Sequence, residues 1–170
     1  MAARHTIIES PVGELTLIAT DEGLAGVYFA GYDAQRYAAA FGPRVDSGFE
    51  AVAAQLDEYF RGVRTQFELP LAPQGNPFQQ RVWDVLRRIP YGETRSYGYV
   101  ARELGDSSLA RDVGTAIGRN PIGIIVPCHR VIGADGKLVG FAGGLDRKRF
   151  LLDLEDAIAG EQLSLGGLSV

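Results

Sequence analysis

The only cysteine of this chain of 170 residues, Cys128, is followed directly by a histidine, His129. The thiolate, not the thiol, is the nucleophile in cysteine chemistry, so a reactive cysteine needs a group that takes its proton. His129 is the candidate base. A histidine in that role needs an acceptor that orients its ring, and Glu155 is a candidate acceptor. Nucleophilic chemistry by these three residues is therefore one interpretation.

The backbone around the cysteine decides whether the thiol and the imidazole can meet. Neighbouring side chains of an extended strand point to opposite faces, so contact between Cys128 and His129 needs a bend or a bridging water. Pro127 restricts its own φ angle and favours a non-regular backbone there. The residues alone leave a second interpretation open, an inert cysteine beside a surface histidine, because single cysteines are often small apolar core residues.

Cysteine content and hydropathy narrow the class of protein. One cysteine excludes an internal disulfide, and we therefore predict a reducing, cytoplasmic location. A structural zinc site is not expected, since one cysteine and two histidines cannot supply four ligands without carboxylates. No apolar run approaches the roughly 20 residues of a membrane span, and the N-terminal residues alternate like a strand. A globular protein without metal or membrane attachment is predicted.

Charge is distributed unevenly along the chain, whose net charge is −4. Residues 1–75 contain five basic and ten acidic residues, whereas residues 76–150 contain twelve and seven. Contact with a phosphate backbone requires a local basic surface, which the second half could provide. The simpler interpretation, solvated helix faces, stays equally open.

The elements that must position Cys128 begin with a predicted sheet in the first half. Short β-type runs at residues 5–10, 14–20 and 24–30 are separated by turn sequences. Residues 46–61 carry apolar side chains at helical spacing. The inward side chains of that helix would be Phe49, Val52, Ala53, Leu56 and Phe60. Three prolines and a glycine predict a linker near residues 68–77.

The second half is predicted to be mostly helical. Helices are expected at residues 77–89, 96–104, 108–119 and 146–156. The short turn between the second and third gives the layout of a helix-turn-helix, which also occurs in hairpins that do not bind DNA. The apolar runs around Cys128 are of β type, and residues 159–170 are expected to form a loosely ordered tail.

Several motifs of the second half occur together in one protein family. Residues 127–131 read PCHRV, preceded by GRNPIGIIV and followed by GFAGGL. With FQQRVWDVLRRIPYGETRSYG upstream and RKRFLLDLE downstream, they closely resemble the active-site region of the O6-alkylguanine-DNA alkyltransferases. The resemblance implies an α+β fold. A ribonuclease-H-like N-terminal antiparallel sheet with helices would precede a mostly helical C-terminal domain that contains a helix-turn-helix.

The resemblance also implies a domain division and an activity. Residues 1–75 would be a support domain, residues 76–158 a DNA-binding and alkyl-acceptor domain, and residues 159–170 a tail. The protein would flip an O6-alkylated guanine, or an O4-alkylated thymine, out of duplex DNA and transfer the alkyl group to Cys128. The thioether product has no hydrolytic exit, so one protein would repair one base. No cofactor is implied, and a monomer is expected, with cooperative assembly on DNA left open.

Position within the motifs implies a role for each site residue. Cys128 would accept the alkyl group, His129 would act on it as a water-mediated base, and Glu155 would orient His129. Asn120 would hold the turn before the cysteine, and Tyr97 would donate towards the guanine ring. The pocket walls would be formed by Tyr97, Val131, Ile132 and the loop 141–144, including Phe141 and Ala142.

DNA contact is assigned to the two helices of the helix-turn-helix. Arg111 resembles the arginine that enters the base stack in place of the flipped nucleotide. The helix that carries it would lie in the minor groove, where Ala110 and Gly114 permit close approach. Ser96, at the start of the preceding helix, is also expected to contact DNA.

Three residues depart from the family pattern. Asp112 stands beside the predicted arginine finger, where a small residue is common, and an acid facing phosphates would weaken DNA binding. Ala142 replaces the serine of some members, so a hydrogen bond to O6 would come from a backbone N–H. Gly123 replaces the proline of some members, which predicts a roomier pocket.

Two other functions compete with alkyl transfer. A lesion-binding protein of the same architecture would flip the base without accepting the alkyl group, but such proteins lack the acceptor cysteine that is present here. A cysteine hydrolase using Cys128, His129 and Glu155 would need an oxyanion hole, and the sequence contains no evident one.

Overall fold

Three antiparallel strands, in sequence order across the sheet, form the first part of the chain. A computed structural model describes residues 2–31 and 38–168, with side chains described as far as residue 156. The strands are β1 (Arg4–Ile8), β2 (Leu15–Thr20) and β3 (Gly23–Phe29). Every residue of β2 is buried, since it lies between the other two strands. The strands agree with the predicted β-type runs.

One helix, α1 (Glu50–Phe60), shares a hydrophobic core with the sheet. It begins four residues later than predicted, because Gly48 has a φ of +99°, outside the helical region. The completely buried aromatic residue of α1 is Tyr59, whereas Phe60, predicted to face inward, is only partly buried. The buried aromatic side chain is thus one residue earlier than predicted, and it brings the Tyr59 hydroxyl into the interior.

Four helices follow in the second part of the chain. They are α2 (Pro77–Arg87), α3 (Tyr97–Glu103), α4 (Ala110–Gly118) and α5 (Leu145–Leu168). Each of the first three begins and ends within two residues of its predicted bounds. The loosely ordered tail predicted at residues 159–170 is wrong up to Leu168, because the backbone of α5 continues to that residue.

Helices α3 and α4 form the predicted helix-turn-helix. A 3₁₀ turn, Ser107–Leu109, joins them, and the carboxylate of Asp106 caps this turn by accepting from the backbone N–H of Ser108 at 2.9 Å. Trp83 of α2 is buried against α4, where its Nε1 donates to the carbonyl of Ala116 at 2.9 Å. One face of α4 is therefore fixed to the core, and its opposite face is exposed.

The outer edge of β3 connects the two halves of the chain. Leu24 exchanges two backbone hydrogen bonds, of 2.9 and 2.7 Å, with residues 70–72. Val27 exchanges two more, of 2.9 and 3.1 Å, with residues 121–123. The predicted linker thus lies along the sheet, and the segment that leads to Cys128 is attached to the N-terminal strands.

The predicted α+β class, with an antiparallel sheet first and a helix-turn-helix in a mostly helical second part, is confirmed. Within the described ranges, no helix has both the length and the apolar character that a membrane crossing requires.

Candidate active site

The cysteine lies in a tight turn and not on a strand. Cys128–Arg130 forms a single 3₁₀ turn, and the predicted β-type runs around it are reduced to β5 (Val131–Ile132), which pairs with β4 (Arg95–Ser96). The β-type run predicted here is wrong at the cysteine itself, where the Cys128 N–H bonds to the carbonyl of Val126, at 2.7 Å, and curls the chain, in line with the non-regular backbone that Pro127 favours. Both the thiol and the following imidazole are consequently buried.

The segment before this turn is held by Asn120. Its Nδ2 donates to the carbonyl of Val126 at 2.9 Å, and its Oδ1 accepts from the N–H of Ile122 at 3.0 Å. Ile124 has a φ of +70°, which is rare for a β-branched residue. Such a conformation persists only where its surroundings impose it. The bonds of Asn120 and the pairing of residues 121–123 with β3 impose it here.

Glu155 of α5 is the common hydrogen-bond partner of His129, Tyr59 and Arg130. Its Oε2 lies 2.5 Å from Nε2 of His129 and accepts from the Tyr59 hydroxyl at 2.6 Å. Arg130 donates to both carboxylate oxygens, at 2.7 and 3.1 Å. His129 is 0% and Glu155 1% exposed, so this network is closed to solvent. Among the described residues, no three His, Cys, Asp or Glu side chains converge on a metal site.

The electrostatics of this network define the protonation states of its members. Burial alone would raise the pKa of Glu155, but the hydrogen bond of His129 and the hydrogen bonds and charge of Arg130 outweigh it and lower that pKa to about 2. Burial lowers the pKa of His129, although the hydrogen bond and the negative charge of Glu155 act to raise it. At neutral pH an ionised carboxylate therefore faces a neutral imidazole.

The neutral imidazole has one defined basic nitrogen. Because Nε2 faces the carboxylate, it carries the ring proton, and Nδ1 keeps the free lone pair. Nδ1 is buried, and no described protein atom is its hydrogen-bond partner. His129 is thus arranged to accept a proton on the side away from Glu155.

Cys128 borders a cavity of about 500 Å³. Its walls come from the helix-turn-helix (Tyr97, Gly114, Ile117 and Gly118), from the end of β3 (residues 27–29), from Asn120 and Gly123, and from the loop 139–142. Cavities of this volume hold ligands of drug size, which includes a purine base with a substituent. Three predicted pocket residues, Tyr97, Phe141 and Ala142, border it together with the cysteine.

The prediction that Val131 and Ile132 line the pocket is wrong, since neither borders the cavity. Val131 is buried behind the turn, where its carbonyl accepts from Nζ of Lys148 at 2.7 Å. The same ammonium donates to the carbonyl of Val139 at 2.9 Å. Burial lowers the pKa of Lys148, and the Cys128 thiolate opposes this shift. Lys148 thereby joins β5 to the pocket loop.

The same functional domains are found in known proteins. The DNA-binding domain of 6-O-methylguanine DNA methyltransferase matches residues 77–157, and the ribonuclease-like domain of that protein matches residues 3–73. The chain belongs to the 6-O-methylguanine DNA methyltransferase family.

Individual members of this methyltransferase family agree with the chain over most of its length. The methylated-DNA–protein-cysteine methyltransferase of Methanosarcina acetivorans is 47% identical over 151 residues, covering 89% of this chain and 97% of the relative. The Mycobacterium tuberculosis protein of the same name is 48% identical over 162 residues, covering 95% and 97%.

Solved structures show the same agreement. The crystal structure of Mycobacterium tuberculosis O6-methylguanine methyltransferase has a TM-score of 0.84 at 46% identity, covering 96% of this chain and 98% of that one. Mycobacterium tuberculosis OGT in complex with DNA also has a TM-score of 0.84, at 45% identity, covering 91% and 94%.

Tyr97 borders the cavity and is a hydrogen-bond donor. Its hydroxyl donates to the carbonyl of Val139 at 3.3 Å. Burial raises the pKa of Tyr97, and the Cys128 thiolate raises it further. The hydroxyl therefore keeps its proton at neutral pH and is able to donate it in a hydrogen bond.

The predicted DNA-contact residues of α4 lie on its exposed side. Arg111 is exposed, and Ala110 and Gly114 are partly buried. Residues three, four and seven positions apart share a helix face, so Arg111 lies on the same face as Gly114 and Gly118. Both glycines border the cavity. Arg111 therefore lies on the face of α4 that borders the cavity.

Two further residues have structural roles that the sequence did not indicate. Asp112 is exposed in the first turn of α4, where a negative charge stabilises the helix N-terminus, and it forms no ion pair with a described residue. Ser96, predicted to contact DNA, caps α3 by accepting from the N–H of Tyr99 at 3.0 Å.

Three buried residues of the site were missed by the motif analysis: Tyr59, Arg130 and Lys148. Arg130 lies inside the PCHRV motif and Lys148 inside RKRFLLDLE, so position within the motifs was the available signal. Tyr59 lies 96 residues from Glu155 on a helix of the other half, and no local pattern marks it.

Proposed function

We propose that this protein repairs alkylated DNA by moving the alkyl group from O6 of guanine to the sulfur of Cys128. One observation carries the proposal. The sole cysteine borders a cavity of purine size and is followed by a neutral, buried imidazole that an ionised Glu155 orients. Relatives named methylated-DNA–protein-cysteine methyltransferase, 47 and 48% identical, support the same activity.

Access to Cys128 requires that the base leave the helix. The cysteine is only 9% exposed, so the O6 atom of a stacked guanine cannot reach its sulfur. Rotating a nucleotide out of the duplex costs a few kcal/mol, and less for a damaged base. The face of α4 with Gly114 and Gly118 allows the DNA backbone to approach the cavity mouth, and Arg111 is placed to fill the vacated stack. The similar protein Mycobacterium tuberculosis OGT has been solved in complex with DNA, which supports DNA binding by this chain.

The transfer is a displacement at the alkyl carbon. His129 Nδ1 takes the thiol proton, through a bridging water, and Glu155 stabilises the imidazolium that forms. The thiolate attacks the alkyl carbon, the carbon–O6 bond breaks, and the electron pair stays on the guanine. Tyr97 donates to the guanine ring as negative charge develops there. In net terms the thiol hydrogen and the alkyl group exchange places, which leaves a thioether and an unmodified guanine.

The product state makes the protein a single-use reagent. A thioether has no leaving group that water displaces under mild conditions, so Cys128 is consumed. The competing role, lesion binding without transfer, requires no acceptor, whereas this chain holds its cysteine at the cavity wall, followed in sequence by an imidazole that Glu155 orients. Alkyl transfer is therefore favoured.

The wider organisation follows from the same site. Residues 76–158 would bind DNA and accept the alkyl group, and residues 1–75 would support them. Acceptor, base and cavity lie within one chain, which supports action as a monomer. A consumable thiol must stay reduced until it meets a lesion, which agrees with the cytoplasmic location predicted from the sequence.

A titration of protein into lesion tests this function. A fixed amount of duplex with one O6-methylguanine is incubated with increasing protein, and restored guanine is quantified by nucleoside chromatography. Restored guanine should rise by one for each protein molecule added, until the lesion is exhausted. Cys128→Ser, which keeps the shape of the site, should restore none. Restoration of several guanines per protein, or of none by the wild type, would refute the proposal.

A further inference from the structure

The N-terminal sheet supplies part of the cavity wall through Phe29, the last residue of β3. A Cβ atom on Gly123 would lie 3.0 Å from Cε2 of this ring, and one on Gly143 would lie 2.8 Å from its Cδ2. The ring therefore occupies the space that a side chain at either glycine would need. The missing side chain at Gly123, predicted to make the pocket roomier, does not leave empty space beside that residue.

The Phe29 ring is held from several sides. Phe141 packs against it edge-on, with 5.4 Å between ring centroids, and the guanidinium of Arg147 lies 5.6 Å from its centroid. That guanidinium is itself fixed, at 2.9, 3.0 and 3.2 Å, by the carbonyls of Val12, Ala30 and Gly143. Because Arg147 and its partners lock the ring, the wall cannot easily retreat from a bulky ligand.

We propose that Phe29 is a specificity-determining residue that limits the bulk of the alkyl group delivered to Cys128. The inference rests on the proposed function. A guanine that enters past Tyr97, Gly114 and Gly118 has the helix-turn-helix behind it. Its O6 substituent, directed at the sulfur, then meets the remaining walls, among them the aromatic ring beside Gly123, which Phe141 and Arg147 hold in place. The N-terminal domain would in this way select substrates as well as support the fold.

The test compares two alkyl groups in one DNA context. Single-turnover rates are measured for O6-methylguanine and O6-benzylguanine in the same duplex, and their ratio removes effects on DNA affinity and on the folded fraction. Phe29→Leu shortens the wall and should raise the benzyl-to-methyl ratio about tenfold, the discrimination typical of a few methylene-sized groups in an apolar pocket. Gly123→Ala adds a methyl group to the cavity wall, against the ring and the Val27 carbonyl, and should lower the ratio by a similar factor.

Two further variants separate specificity from stability. The double variant F29L/G123A should return the ratio towards that of the wild type, because both changes act on one space. Phe49→Leu is the matched control, since Phe49 is equally buried in the same half (4% against 5% exposed) and does not border the cavity. Its ratio should equal that of the wild type.

The outcomes are distinguishable. If the wild type transfers methyl but the Phe29→Leu ratio stays within twofold of wild type, the specificity role of Phe29 is wrong while the proposed function stands. An equal change in Phe49→Leu would also overturn it, by showing a general effect of core loosening. Failure of the wild type to transfer either group would refute the proposed function and this inference together.

Discussion

The carboxylate of Glu155 and the imidazole of His129 meet in the interior of the protein, with 2.5 Å between Oε2 and Nε2. Tyr59 and Arg130 donate to the same carboxylate, so two halves of the chain converge on one charge. This pairing orients the imidazole, fixes its tautomer and leaves Nδ1 as the base. The consequences for rate, stability and pH dependence can be measured.

Removing the base should slow transfer without preventing lesion binding. His129→Gln keeps a polar side chain but loses the basic nitrogen, and general-base catalysis is worth about a hundredfold or more. Single-turnover methyl transfer should therefore fall by about that factor, while binding of a duplex with O6-methylguanine is retained. His5→Gln, at the other histidine of the chain, should transfer at the wild-type rate. A rate for His129→Gln within a few-fold of wild type would show that another group accepts the thiol proton of Cys128.

The Tyr59 hydroxyl should stabilise the fold through its bond to a buried charge. Tyr59→Phe leaves Glu155 short of one donor, and such losses cost about 1–3 kcal/mol. Tyr91→Phe is the matched control, because the Tyr91 hydroxyl is buried with no hydrogen-bond partner among the described residues. Urea unfolding should show the loss in Tyr59→Phe and almost none in Tyr91→Phe. Equal effects would show that the Tyr59 bond contributes nothing specific.

Acid should destabilise the protein in two steps. Burial lowers the pKa of His129 in the folded protein from 6.5. Below about pH 6.5 the unfolded chain therefore binds a proton at this histidine more readily than the folded protein does. The pKa of Glu155 falls from 4.5 to about 2, so its stabilisation is complete above 4.5 and is lost as pH falls towards 2. The free energy of unfolding should therefore decline below about pH 6.5 and again below about pH 4.5.

A variant isolates the second step. Glu155→Gln removes the carboxylate and leaves Arg130 buried without its anion, which should cost about 3–5 kcal/mol at neutral pH. The difference from wild type should shrink below about pH 4.5. Asp153→Asn, an exposed carboxylate on the same helix, should follow the wild-type curve. A difference that stays constant with pH would contradict the ionised state of Glu155.

Arg111 should matter for duplex DNA and not for a free base. Its exposed place on the face of α4 that borders the cavity predicts that Arg111→Ala slows repair of a duplex lesion at least about tenfold. Reaction with free O6-benzylguanine, which needs no flipping, should stay near the wild-type rate. Arg61→Ala, at an exposed arginine that follows α1, should leave both unchanged. If Arg111→Ala slowed the reaction equally on both substrates, Arg111 would not be the residue that takes the place of the flipped nucleotide.

The regular elements follow from local patterns, which is why they could be predicted. Strand alternation bounded by turn residues located β1 to β3, and helical spacing located α2 to α4. The motif around Cys128 likewise pointed to His129, Glu155 and Asn120, whose contacts the structure describes.

The remaining features depend on contacts between distant parts of the chain. The turn at Cys128 is an exception, since short-range bonds that no apolar pattern encodes curl it, and only Pro127 indicated a non-regular backbone. Tyr59 reaches Glu155 across 96 positions, and Phe29 meets Gly123 only because β3 pairs with residues 121–123. Side chains contributed by the N-terminal half to the site therefore had no signal in the sequence.

The most direct test of the account is the mass of the protein after reaction. The protein is incubated with a slight excess of duplex that contains O6-methylguanine, and its intact mass and proteolytic peptides are measured. A gain of one methyl group per molecule, located on Cys128 and absent from Cys128→Ala, is the predicted result. An unchanged mass with the lesion bound, or a methyl group on any other residue, would contradict it.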